Sequence, residues 1–197
     1  MWYTPQPVVN FIVRAVDDIL KSEFGISAGL ADKSTITKRI NNVETEFHKV
    51  QILDPATGTG TFLAETIKHI YKKFANQQGI WSNYVEQHLI PRLNGFEILM
   101  ASYAMAHLKL DLLLKETGFK ATRDDERFKV FLTNSLEESD TDTGTIFASW
   151  LSAEAKEANT VKRDTPVMCV IGNPPYSVSS NNKGEWIKSL TSDYKKI

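Results

Sequence analysis

The sequence predicts an α/β fold built on a parallel sheet, and three observations predict it. Four short apolar runs, each closed by turn-forming residues, alternate with stretches of helical periodicity. The first run leads at once into a glycine loop, Asp54-Pro55-Ala56-Thr57-Gly58-Thr59-Gly60-Thr61-Phe62, and then a helix. The last run, Val167 to Ile171, leads through Gly172 into Asn173-Pro174-Pro175-Tyr176. Strands joined by crossover helices close with right-handed parallel connections.

Taken in order, the chain opens on Thr4-Pro5-Gln6-Pro7, which predicts a capped helix. Val8, Val9, Ile12, Val13, Val16, Ile19 and Leu20 recur at three- and four-residue spacing, with Thr4 as N-cap and Pro5 at the first helical position. Phe24 to Asn42 is polar and glycine-broken, and reads as a loop with at most one helical turn. Phe47 to Leu53 alternates and reads as the first strand. After the glycine loop, Phe62, Leu63, Ile67, Ile70, Tyr71 and Phe74 share a helix face. Residues 76–92 form an insertion with a short helix around Asn83 to Leu89. Leu93 to Ile98 is the second strand, Met100 to Thr117 a helix ended by Gly118, and Phe128 to Thr133 the third strand. Glu137 to Gly144 reads as an acidic loop, Thr145 to Asn159 as a helix, and Thr160 to Pro166 as a linker to the fourth strand. This divides the chain into an N-terminal helical segment, 1–46, and a partial catalytic domain, 47–197. The chain stops where another helix and more strands should follow, so the reading is of a sheet truncated after its fourth strand, a fragment of a longer protein.

Composition narrows the function classes. With 197 residues, 42% hydrophobic and 24% charged, the chain can bury one core. A net charge of −1 argues against a domain that holds nucleic acid by phosphate contacts alone. The single cysteine, Cys169, forbids an internal disulfide, and a reducing, cytoplasmic setting is expected. No apolar window has the length of a membrane span, so no membrane partner is expected. The histidines lack metal-ligand spacing, and no metal is expected. His107 reads as a core or boundary residue, and Trp81, Trp150 and Trp186 as packing.

The glycine loop by itself fits a dinucleotide, a mononucleotide or no ligand. A third glycine of the dinucleotide fingerprint is missing, with Leu63 in its place, and no Lys-Ser/Thr follows as in a phosphate-binding P-loop. Asp54 at the strand end would repel a pyrophosphate but tolerate a cationic amine. Glu97 at the tip of the next strand suits a ribose diol. S-adenosyl-L-methionine has that combined shape. Asn134 and Ser135 end the third strand on the same edge and fit an adenine contact equally with an Asx or Ser turn. Two prolines after the fourth strand stiffen its exit. Asn173 then offers an amide oxygen, Pro174 a rigid carbonyl and Tyr176 a flat ring. Two acceptors can hold both N–H groups of an exocyclic amine and concentrate its delocalised lone pair on nitrogen, while a ring can stack on a base taken out of the duplex. The plain alternatives are a local turn at Asp54, a solvated strand end at Glu97 and a rigid turn at Asn173.

Tyr3-Thr4-Pro5, the Asp54 to Phe62 loop and Asn173-Pro174-Pro175-Tyr176, in that order, resemble the N6-adenine DNA methyltransferases of the gamma arrangement. Phe96-Glu97-Ile98, the Ala101 to Leu114 helix and Leu132 to Leu136 resemble the methylase portion of long single-chain restriction–modification enzymes. The resemblance covers nearly the whole chain. It implies a Rossmann-like, S-adenosylmethionine-dependent methyltransferase sheet. Thr4 and Pro5, with Asp54, Pro55, Ala56, Thr57, Gly58, Thr59, Gly60 and Phe62, would bind the cofactor. Glu97 and Ile98 would hold its ribose side, and Asn134, where relatives often carry Asp, with Ser135 its adenine. Asn173, Pro174, Pro175 and Tyr176 would hold a flipped adenine of double-stranded DNA. A target-recognition region, three further strands, and helicase or nuclease domains would belong to the parent chain. Two other readings remain: a protein glutamine-amide methyltransferase, because Asn-Pro-Pro-Tyr also serves an amide nitrogen, and a cofactor-binding module without chemistry. A nicotinamide dehydrogenase fits worse, and cytosine-ring methylation lacks its loop cysteine.

Overall fold

In the computed structural model, which describes residues 4–75, 77–122, 127–135, 146–175, 185–190 and 192, helix α1 (Gln6–Ser22) opens the chain. Pro5, extended at ψ 136°, is its cap residue, and Pro7 lies in the first turn, where a missing N–H costs nothing. The Pro5 carbonyl takes the Val8 and Val9 N–H groups at 2.9 and 3.2 Å. Thr4 therefore stands outside the helix and is not its cap, a correction with consequences for the site.

Residues 24–42, expected as a loop with one helical turn at most, hold that turn as a 3-10 turn (Gly29–Ala31), but they also hold strand β1 (Thr35–Ile40), which pairs antiparallel with β2 (Val43–His48). Asn41 and Asn42 turn this hairpin at φ 47° and 66°. A two-residue type I′ turn needs that left-handed pair, and Asn tolerates it. The expected strand from Phe47 to Leu53 is thereby split. Phe47 and His48 finish the hairpin, the Lys49 N–H bonds the Ser34 carbonyl at 2.8 Å, and a separate strand, β3 (Ile52–Asp54), begins in the main sheet.

Helix α2 (Thr61–Lys72) follows the glycine loop. The insertion is helical from α3 (Gln78–Tyr84), earlier than expected, through a π turn (Val85–Leu89) and a 3-10 turn (Ile90–Arg92). Trp81 packs there against Tyr71, Phe74 and Tyr84, and its indole N–H reaches Thr117 Oγ1 at 2.8 Å. Then come β4 (Leu93–Glu97), α4 (Met100–Glu116), β5 (Lys129–Leu132), α5 (Ile146–Arg163), β6 (Cys169–Val170) and α6 (Glu185–Leu190). Helix α5 runs through most of the expected linker. Gly118 ends α4 at φ 78°, with the Phe119 N–H returning to the Leu114 carbonyl at 3.2 Å. His107 is a boundary residue, its Nε2 3.1 Å from the Val130 carbonyl oxygen. The expected loop from Glu137 to Gly144 lies outside the described residues.

The main sheet is parallel throughout, in the order β5-β4-β3-β6. Alternation along its strands feeds two cores. Ile52, Leu93, Val130 and Cys169 face Val9 and Val13 of α1, Leu63 and Ile67 of α2, and Ala106 and Leu110 of α4. Leu53, Phe96 and Phe131 face Ala158 and Val161 of α5. Helices thus cover both faces, which is why the strands read as continuous apolar runs. Burial pushes the Cys169 thiol up to about 11, against the opposing pull of Arg92, as suits a packing residue. No helix among the described residues is long and apolar enough to cross a membrane.

Candidate active site

The carboxyl ends of β3, β4, β5 and β6 share one edge, and strand order reverses between β3 and β6. Open parallel sheets form a crevice at that point. Both sequence loops leave from it, on neighbouring strands held by the Ile171 N–H to Leu53 carbonyl bond at 2.9 Å.

The glycine loop is shaped by its own backbone. Asp54, 1% exposed, accepts the Ala56 N–H through Oδ1 at 3.1 Å, and its carbonyl accepts the Thr57 hydroxyl at 3.1 Å. The Thr57 N–H crosses to the Phe96 carbonyl at 2.9 Å, locking the loop onto β4. Gly58 and Gly60 take left-handed φ of 56° and 77°, which turns the chain into α2 and leaves its first N–H groups at the crevice. Asp54 Oδ2 is buried without a hydrogen-bond partner among the described residues. Burial raises the Asp54 carboxyl to about 7, against the Ala56 N–H and with help from the Glu97 charge.

Glu97 is a buried brace. One oxygen accepts the Gly58 N–H at 2.7 Å, and the other accepts the Ile98 and Leu99 N–H groups at 2.9 and 2.8 Å. It joins the glycine loop to the start of α4 and keeps acceptor capacity for a ligand. Ile98 beside it is 63% exposed. The Ser135 hydroxyl bonds the Pro55 carbonyl, so the end of β5 also closes on the loop. The Lys162 ammonium bonds the Asn134 carbonyl at 2.7 Å and Thr133 Oγ1 at 3.0 Å.

The second loop lands directly beside the first. A side chain at Gly172 would put its Cβ 2.6 Å from Asp54 Oδ1, so any larger residue there would force the Asp54 carboxylate to shift. Asn173, Pro174 and Pro175 follow, exposed. The Asn173 Nδ2 donates to Thr4 Oγ1 at 3.0 Å, bringing in the Thr-Pro segment. The structure therefore gathers Thr4, the loop from Asp54 to Gly60, Glu97, Ser135 and Asn173 at one edge. Phe62 instead buries its ring in the core, and Tyr176 lies outside the described residues.

Sequence reading missed Gly95, whose place under the loop depends on contacts across the sheet. A Cβ there would meet Thr57 Oγ1 at 2.5 Å, Leu63 Cδ1 at 3.2 Å and Val130 Cγ2 at 3.3 Å. Overpacking of this kind costs about 1–3 kcal/mol. Gly95→Ala is expected to lower stability by that amount in urea denaturation, and an unchanged midpoint would show that the loop simply yields. Lys162 was also missed, because a lysine in a helix gives no sign of which strand end it reaches.

The sequence matches the family described as MmeI, DNA-methyltransferase domain, over residues 30–196. Among solved structures, the chain is similar to the ATP-dependent Type ISP restriction-modification enzyme LlaBIII bound to DNA, with 29% identity, 92% of this chain and 11% of that chain covered, and a TM-score of 0.65. It is also similar to a nuclease-deletion mutant of the Type ISP enzyme LlaGI in complex with a DNA substrate mimic, with 27% identity, 100% and 15% coverage, and a TM-score of 0.71. A DrdV–DNA complex matches at 28% identity, 99% and 17% coverage, and a TM-score of 0.68. The chain thus spans between 11% and 17% of the length of these proteins. Comparison with curated proteins finds no match.

Proposed function

This chain belongs to the MmeI DNA-methyltransferase domain family, and from that membership we propose that it is the catalytic core of an adenine-N6 methyltransferase in a restriction–modification enzyme, with S-adenosyl-L-methionine as methyl donor. The observation that carries the reading is the meeting of the two loops, with Asn173 beside a glycine loop whose Asp54 has a buried, unpartnered oxygen. A buried carboxylate would repel a pyrophosphate and favour a cation, and the left-handed glycines open the backbone to close approach. These residues fit the cofactor. The DNA contacts of LlaBIII, LlaGI and DrdV support a DNA substrate for the parent chain.

When bound, the cofactor supplies a methyl group on an electron-poor sulfonium. Asp54 and the first N–H groups of α2 would hold the amino-acid end, and Glu97 would accept from the ribose hydroxyls. Asn134 and Ser135 would border its adenine. On the acceptor side, the Asn173 oxygen and the Pro174 carbonyl take the two N–H groups of the target amine and aim its lone pair. Pro175 would keep that carbonyl fixed, and the resemblance gives Tyr176, outside the described residues, the role of stacking on a flipped base. No titrating group is required, because the product ammonium loses its proton to water.

Asp54 gives this reading a pH dependence. Burial pushes its carboxyl up to about 7, and a neighbouring cation favours the ionised form. Below that pH, cofactor binding must expel a proton, so affinity is expected to fall by up to about tenfold per pH unit and to level off above it. Calorimetry from acid to mildly basic pH checks this, with Asp54→Asn as the control that should flatten the profile. A flat profile in the unaltered protein would remove the ionisation from the binding step.

The function itself is tested with the complete gene product, tritiated cofactor and unmethylated DNA, followed by digestion to nucleosides. N6-methyladenine is expected. Label confined to cytosine, or to a glutamine amide of a protein substrate, would overturn the reading.

A further inference from the structure

We infer that Thr4 is a positioning residue of the methyl-acceptor site: its hydroxyl holds the Asn173 amide by the NH2 end, so that the amide oxygen is the end left for the target amine. This rests on the adenine-N6 reading above. The bond from Asn173 Nδ2 to Thr4 Oγ1 is 3.0 Å long and joins positions 169 residues apart.

An amide has two ends of nearly equal size and opposite polarity, and rotation about its last torsion is broad. Asn173 is exposed, so packing does not choose the end. Turned the wrong way, it would present N–H groups to the N–H groups of the amine. A hydroxyl that accepts from the NH2 end removes this ambiguity.

Thr4 is itself fixed. Pro5 and Pro7 stiffen its exit, and Val9 is fully buried in the core. Gln6 donates through Nε2 to Glu65 Oε2 at 2.9 Å. Glu65 is a buried residue of α2, the helix that carries the glycine loop. The acceptor amide is thus referenced to the element that holds the methyl donor, through Thr4 and Gln6. Thr4 precedes the cap residue Pro5, and its hydroxyl, not used to cap α1, accepts from Asn173.

The test uses the full-length parent enzyme with Thr4→Val, which keeps the shape without the hydroxyl, and Thr4→Ser, which keeps the hydroxyl. Single-turnover methyl transfer to unmethylated DNA is measured at saturating cofactor, with nucleoside analysis, beside the cofactor dissociation constant. Loss of one such bond predicts a rate about tenfold lower in Thr4→Val, cofactor affinity within about twofold, and a rate restored in Thr4→Ser. A Thr4→Val rate equal to that of the unaltered enzyme overturns the inference. So does a Thr4→Val defect that disappears when cofactor is raised, which would make Thr4 a cofactor contact only. If the unaltered enzyme forms no N6-methyladenine, the adenine reading falls, and that result is separate from any difference between the Thr4 variants.

Discussion

Asn173→Ala in the full-length parent enzyme is expected to lower methyl transfer to adenine by about 10²–10³-fold, the range seen when one preorganised hydrogen-bonding group is removed from a reacting centre. The cofactor dissociation constant should stay within about twofold. The reason for the split is spatial. Asn173 bonds Thr4 and stands exposed on the β6 side of the crevice, whereas the glycine loop is fixed by Asp54, Phe96 and Glu97. Removing the amide takes away an acceptor for the amine and leaves that frame intact. The loss should exceed that of Thr4→Val, which disturbs only the aim of the amide. Asn173→Asp retains an acceptor oxygen and should fall less than Asn173→Ala. Single-turnover assays and calorimetry on the same preparations separate rate from binding. An Asn173→Ala enzyme that transfers methyl at the unaltered rate would sink the lone-pair role.

The two loops were legible in the sequence because each combines a strand, a fixed turn chemistry and a defined exit. Glycines at 58 and 60 and prolines at 174 and 175 restrict the backbone locally, and local restriction is what a sequence displays. Glu97 was visible as a carboxylate at a strand end, but its bonds to Gly58, Ile98 and Leu99 were not, since they depend on how β3 and β4 align. Gly95 and Gly172 belong to the same class. Nothing local demands glycine there, and the need comes from Thr57 and Asp54 on a neighbouring strand or its exit loop.

The hairpin was missed for a different reason. Its strands are largely exposed, so they lack the apolar alternation that marks a buried strand. Asn41-Asn42 was the available signal, a pair suited to a left-handed two-residue turn. The Thr4 expectation failed because a Thr before Pro-x-Pro matches a cap pattern, whereas Pro5 itself became the cap residue. A long-range partner, Asn173, then claimed the hydroxyl. Local pattern can say that a hydroxyl needs a partner, but not that the partner is at the far end of the chain.

Asp17→Ala is expected to destabilise the fold by about 3 kcal/mol, measured by urea denaturation, a large part of the roughly 5–15 kcal/mol that holds a domain together. Asp17, a residue of α1, is 2% exposed, and its carboxylate faces the end of α2 and the turn after α1. Its carboxylate meets Lys21 at 2.6 Å, Lys73 at 2.7 Å and His69 at 3.1 Å, and accepts the Leu30 N–H at 2.7 Å. Lys21 and Lys73 are 39% and 31% exposed, so both can turn to solvent when the carboxylate is removed. The penalty is therefore not that of a stranded buried charge. It is the loss of charge-assisted bonds, about 1.5–3 kcal/mol, together with a buried Leu30 N–H left unsatisfied, about 1–3 kcal/mol. Asp17→Asn can keep the Leu30 bond and should recover about 1 kcal/mol. Burial works to raise the Asp17 pKa, but Lys21, Lys73, the Leu30 N–H and His69 outweigh it and hold the carboxyl well below the ordinary value of 3.8. A depressed pKa stabilises the fold fully above that ordinary value, and the contribution drains away as the pH falls below it. The gap between the unaltered protein and Asp17→Ala should therefore be widest at neutral pH and shrink in acid. A gap independent of pH down to the acid limit would mean that Asp17 acts through packing and not through its charge. Because α1 carries Thr4 at its head, the same variant also tests whether the site depends on this anchor: methyl transfer should fall in Asp17→Ala even at temperatures where the fold persists.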